Sequence, residues 1–186
     1  ALGHSAICLS PNSPSPNRSR SAVLPAEESV TFDVNRAWQP ATAIQVLNSV
    51  VARDWIEQPC ETLDQCAQVA ARVPQPIMLD ECMHSFQDHL DAWRLGAAQG
   101  VKVKPNRLGG LTRARQIREF GGSVGWQMHI EDVDSSALAD IAAIHLAAAT
   151  PLSGIVNVCD LSGYAGPRLG PSAPTRDGGF INPSTA

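Results

Sequence analysis

Four charged residues recur along the chain at a nearly constant stride, each closing a short apolar run. They are Asp33 in VTFDVN, Glu57 in DWIEQP, Asp80 in PIMLDE and Lys104 in VKVKPN, separated by 24, 23 and 24 residues. That stride accommodates one strand, one crossover helix and two short loops, so it predicts equivalent positions in successive βα units. In a parallel barrel such positions converge at the C-terminal mouth, where active sites are built. Three carboxylates and an amine at one mouth point to a divalent cation with a lysine base beside it. Taken singly, each strand-end carboxylate reads more readily as a loop residue or helix cap; the common register of all four favours a site.

The chain of 186 residues has material for one sizeable core, against about 250 residues for a closed (β/α)8 barrel. A net charge of −4 without a basic stripe gives no electrostatic basis for a nucleic-acid partner. The longest apolar stretch, around Ile141 to Ala149, is too short to span a bilayer and is interrupted by His145. Five cysteines form no C-x-x-C pair, which predicts reduced thiols in a cytoplasmic protein. The amino terminus lacks the charged region of a secretory signal, and both ends read as cut. A homo-oligomer stays open.

Residues 1–29 include LSPNSPSPNRSRS, a stretch that cannot bury a face and predicts an irregular or degenerate segment. From Val30 to Asp160 the texture alternates between strand and helix. The first strand, Val30–Asn35, is predicted to set Thr31, Asp33 and Asn35 on one face, with a helix after it carrying Ile44, Leu47 and Val51 at helical spacing. Strand Asp54–Glu57 precedes a helix that Thr62 and Gln65 open as a capping box. Strand Ile77–Asp80 precedes one capped by Ser85, with Phe86, Leu90 and Trp93 inward. Strand Val101–Lys104 sets both lysines on one face, and the next helix opens at Gly109-Gly110 and ends at Gly121-Gly122. Strand Val124–Glu131 alternates Gln127, His129 and Glu131 against Trp126, Met128 and Ile130. Ser135 or Ser136 caps a helix reaching Ala149, Ser153–Cys159 is a sixth strand, and 161–186 is an irregular tail.

In the first five strands the polar candidates share one face and apolar residues occupy the other. This is what a barrel wall with a polar mouth and an outer helical layer requires. The expected fold is α/β: a partial (β/α)8 TIM-type barrel of about six βα units, lacking the first strands.

The segments DVNRAW, WIEQPCETLDQ, PIMLDE and VKVKPNRLGGLTRARQI resemble the enolase superfamily, in its mandelate-racemase-like and muconate-lactonising branch. The resemblance covers roughly Leu24 to Ala149 and is closest to the subgroup of cis-3-hydroxy-L-proline dehydratase and hydroxyproline-betaine epimerase. It implies Mg2+ held by Asp33, Glu57 and Asp80, with Lys104 as one acid/base group. The implied substrate is a small carboxylate, an amino acid or hydroxyproline derivative. The implied reaction removes its α-proton, followed by dehydration or, in an epimerase, reprotonation. Acid-sugar dehydratases of the superfamily usually carry aspartate where this chain has Lys104, which favours the lysine branch.

Two departures accompany the match. Family members carry a Lys-x-Lys motif on the strand before the Asp33 strand, whereas this region has no lysine, and the α+β capping domain is absent. Dehydration from one face could persist without the second base; epimerisation needs both faces. Two functions are therefore expected: a dehydratase-type lyase, or a truncated remnant without catalysis.

Asn35 is expected to orient the metal ligands, and Lys102 to be an interior lysine neutralised by carboxylates. Glu131 reads as a support for the site or a solvated strand-end acid. His129 reads as a hydrogen-bonded interior histidine or a substrate contact. Cys82, His84 and His89 match no common zinc spacing, with His89 expected on a helix surface. The four tryptophans are expected in packing.

Overall fold

A computed structural model describes residues 8–9, 30–51, 54–133, 137–159, 176–177 and 180–181. The predicted caps Ser135 and Ser136, and most of 1–29 and 161–186, lie outside these residues. The chain divides into two compact units, 1–83 with 90–99, and 84–89 with 100–186.

The first unit contains four strands: β1 (Cys8–Leu9), β2 (Thr31–Asp33), β3 (Trp55–Glu57) and β4 (Ile77–Leu79). Each pairs with the next in parallel. The two-residue β1 falls within the segment expected to be irregular, with Cys8 opposite Thr31. Helix α1 (Pro40–Asn48) starts on a proline, whose fixed φ suits the first helical turn. It ends before Val51, which is 95% exposed rather than part of the apolar stripe; Leu47 is buried as expected, together with Ala43. Helix α2 (Leu63–Ala70) opens with the predicted capping box: the Thr62 hydroxyl accepts from Gln65 N, and the Gln65 side chain accepts from Thr62 N.

At the start of α3 (Phe86–Leu95), Asp88 N donates to the Ser85 hydroxyl while the Asp88 carboxylate accepts from Ser85 N and His84 N. The buried stripe is turned from the expected one. Phe86 and Trp93 are 43% and 50% exposed, whereas His89 and Ala92 are fully buried. His89 therefore is not a surface residue. It belongs to the second unit, where its ring lies 6.4 Å from that of Trp126.

The second unit also holds β5 (Gly100–Val103), α4 (Leu111–Ser123), β6 (Gln127–Glu131), α5 (Ala137–Ala148), a 3-10 turn (Leu152–Gly154) and β7 (Ile155–Cys159). The three strands run parallel in the order β5-β6-β7. Helix α4 does not end at Gly121-Gly122. The helix runs on to Ser123, and the chain turns at Gly125 with φ +77°. Every residue of β5 is buried, as are Met128 to Glu131 of β6, as in a parallel sheet covered on both faces. Between β6 and β7 the register slips by one residue: Met128 faces Ile155, but His129 faces Asn157, so Val156 bulges. A separate antiparallel pair joins β8 (Arg176–Asp177) to β9 (Phe180–Ile181). Among the described residues no helix is long and apolar enough to cross a membrane.

Candidate functional site: strand-end acids and a buried lysine pair

In the first unit, Asp33 and Glu57 are direct partners across β2 and β3, so their side chains leave the sheet on the same face. Glu57 faces Met78 across β3 and β4. Asp80 lies two residues further along and keeps that parity. Glu57 is fully buried, Asp80 nearly so, and Asp33 partly exposed.

Local backbone geometry holds these ends in place. After Asp33 the chain enters a left-handed turn at Asn35 (φ +50°) and Arg36 (φ +62°). Asn35 thus does not extend the strand; its backbone amide donates to Asp33 Oδ1 at 2.9 Å, and its side chain is exposed. After Glu57, Gln58 is also left-handed (φ +34°) and completely buried. Its Oε1 accepts from Asp80 N at 2.8 Å, tying the Glu57 and Asp80 strand ends together. Sequence reasoning missed Gln58. The only signal was a polar residue between Glu57 and Pro59, where a side chain turned inward cannot be told from one in solvent.

Acidic charge accumulates here. Glu81, 3.6 Å from Arg36, is pushed up by burial first and then by the charges of Asp80 and Asp33, against its backbone hydrogen bond and Arg36. The donor set fits a hard divalent ion: carboxylate oxygens from register-neighbouring strand ends, two of the three withdrawn from water. Among the described residues no three acid, histidine or cysteine side chains are gathered as a ready-made metal cluster.

The second unit brings four predicted residues together. Lys102 Nζ and Lys104 Nζ lie 2.9 and 2.7 Å from the same oxygen, Glu131 Oε1, and His129 Nε2 lies 3.2 Å from Oε2. All four are buried, so Glu131 is not a solvated acid. These two lysines are the chain's only ones. Burial works to raise Glu131, but His129, Lys102 and Lys104 outweigh it and hold the carboxyl well below its usual range. His129 is drawn down by burial first and then by Lys102, against the pull of Glu131, leaving a neutral imidazole that donates to the carboxylate. The Asn157 amide stands 3.5 Å from the same ring nitrogen. A cleft of about 580 Å³ near the start of β6, lined by Arg118, Trp126 and Gly154, contains none of these groups.

Comparison with known proteins gives these residues a context. The family described as Enolase C-terminal domain-like matches residues 17–186. A cis-3-hydroxy-L-proline dehydratase from Roseibium aggregatum is 28% identical over 164 residues, 88% of this chain and 45% of that protein. Muconate cycloisomerase 1 from Rhodococcus opacus is 31% identical over 132 residues, 69% of this chain and 35% of that protein. A crystal structure of an enolase-superfamily member from Roseovarius nubinhibens, complexed with magnesium, is 61% identical, with a TM-score of 0.84 over 89% of this chain and 46% of that one. The chain thus spans less than half the length of each. The likeness establishes the fold class as α/β, a partial TIM-type barrel.

Proposed function

From the premise that this chain belongs to the enolase C-terminal domain-like family, we propose that it carries the metal and base residues of an enzyme that abstracts a proton α to a carboxylate. The proposed outcome is dehydration of a hydroxyproline-type substrate. The observation that carries this reading is Lys104, a buried amine at the end of β5 fixed 2.7 Å from Glu131.

In this reading Asp33, Glu57 and Asp80 hold Mg2+. When bound, the ion supplies positive charge that favours enolisation of a substrate carboxylate. Lys104 takes the C2 proton, and Glu131 accepts hydrogen bonds from the resulting ammonium, lowering the cost of charging a lysine away from water. The electron pair left at C2 expels the 3-hydroxyl, which departs as water after taking a proton from solvent. Lys102, on the same carboxylate, helps keep Glu131 ionised, and His129 orients its second oxygen. The substrate class rests on the 28% identity to the hydroxyproline dehydratase. Lysine at position 104 disfavours an acid-sugar dehydratase.

The absence of lysine from residues 1–29 favours dehydration over racemisation or epimerisation, because no second amine reaches the opposite substrate face from that segment. The same observation supports a second reading, a remnant without catalysis. One experiment separates them: the purified chain with Mg2+ is incubated with cis-3-hydroxy-L-proline in deuterium oxide. Deuterium at C2 or dehydrated product, both lost in Lys104→Ala, supports the enzyme. No exchange, together with an unfolded circular dichroism spectrum, supports the remnant.

A further inference from the structure

The Gln58 side chain that ties two strand ends together also sits among thiols. Its Nε2 donates to Cys60 O at 2.9 Å and to Cys82 Sγ at 2.7 Å, and lies 3.6 Å from Cys66 Sγ. The Cys66 and Cys82 sulfurs thus flank one amide nitrogen, at 3.6 and 2.7 Å. Cys66 lies fully buried in α2, whereas Cys82 is only partly buried.

We propose that Cys66 and Cys82 are a redox-active dithiol that closes to a disulfide on meeting a small disulfide oxidant, and that closure loosens the hold of Gln58 on the Asp80 strand end. The argument is geometric. Two sulfurs distant in sequence lie around the same amide nitrogen, one of them partly exposed to solvent and the other fully buried. The Cys82 sulfur attacks one sulfur of the oxidant and expels the first thiolate. Cys66 then attacks the Cys82 sulfur of the mixed disulfide and expels the second. One S–S bond is broken and one formed, the oxidant gains two electrons, and the two thiol protons pass to the released thiolates. Cys60 stands aside: burial first, then the neighbouring Cys82 charge, pushes its thiol up to about 11.

Closure removes two S–H donors, those of Cys66 to Cys60 O at 3.6 Å and of Cys82 to Glu61 O at 3.4 Å. It also draws the sulfurs to about 2 Å, pulling Cys82 from its place against Gln58 Nε2. Gln58 Oε1 accepts from both Asp80 N and Cys82 N, so those amides lose their anchor as the side chain shifts. The dithiol does not depend on the catalytic reading.

The test treats the full chain with oxidised glutathione and reads intact mass, non-reducing peptide maps and amide hydrogen exchange. The expected result is a loss of about 2 Da reversed by reductant, a peptide linking Cys66 to Cys82, and exchange over residues 79–83 at least about tenfold faster. The link should persist in Cys60→Ser and vanish in Cys66→Ser and Cys82→Ser, with the circular dichroism spectrum of each variant confirming its fold. Unchanged thiols, a link through Cys60, a glutathione adduct on Cys82 that Cys66 never resolves, or a link with unaltered exchange would each overturn the proposal.

Discussion

Lys104 and Glu131 meet across neighbouring strands with Nζ 2.7 Å from Oε1, their side chains 9% and 3% exposed. Lys102 reaches the same oxygen from two residues earlier on the β5 face. One carboxylate thus fixes both amines of a chain that has no other lysine. The arrangement makes the acid, rather than either base, the point at which the group is most vulnerable.

Glu131→Gln removes the charge that both lysine side chains share while keeping the shape of the side chain. Breaking a buried ion pair from one side costs about 3 kcal/mol or more, which a urea titration should show as a lower midpoint with unchanged slope. Any α-proton exchange should fall by roughly a hundredfold or more. Two side-chain signals from a 15N-lysine-labelled sample would report whether both amines move.

Acid should destabilise the fold in two stages. His129 and His89 are both drawn below the ordinary histidine value of 6.5, burial being the first cause for each. A depressed histidine favours folding above its unfolded value, and that contribution is lost as pH falls from 6.5 toward the folded value. Glu131, held well below 4.5, adds a loss that begins only beneath that value. Thermal melts from pH 8 to 2 should therefore show a first decline beginning near 6.5 and a second below 4.5. The first should be shallower in His89→Gln, and the later one should be weakened in Glu131→Gln.

Gln58→Leu keeps the bulk of a buried side chain but deletes the acceptor for the Asp80 amide. Groups that position ligands typically account for about tenfold to a hundredfold in metal affinity. Calorimetry with Mg2+ should show a drop of at least about tenfold, with Asp80→Asn losing more.

Thr62→Ala should lower stability by about 1 kcal/mol, because the substitution opens the capping box at α2. Thr62→Ser should restore most of it in the same denaturation assay.

The alternation of strands and helices was legible because the stride from Asp33 to Lys104 is set by chain length per βα unit, which few other architectures reproduce. The α2 start was legible for a related reason: Thr62 and Gln65 form a purely local motif. What escaped depended on surroundings that periodicity cannot see. His89 is buried with the Trp126 ring, a neighbour distant in sequence, 6.4 Å from its own, while Phe86 and Trp93 stay exposed. Gln58 reads as an ordinary polar residue and Asn35 as an orienting residue within a strand, yet each adopts a left-handed backbone that redirects the chain after a strand-end acid. The Gly121-Gly122 pair has the composition of a helix stop, yet the helix runs on to Ser123 and the left-handed turn falls at Gly125.

The extra residue at Val156 acts as a phase shifter for the strand beyond it. With uninterrupted pairing from Met128 and Ile155, His129 would have valine for its neighbour; the slip gives it Asn157 instead. Excising Val156 would therefore straighten the strand and still leave Asn157 opposite the imidazole, whereas excising Asn157 would set a valine there.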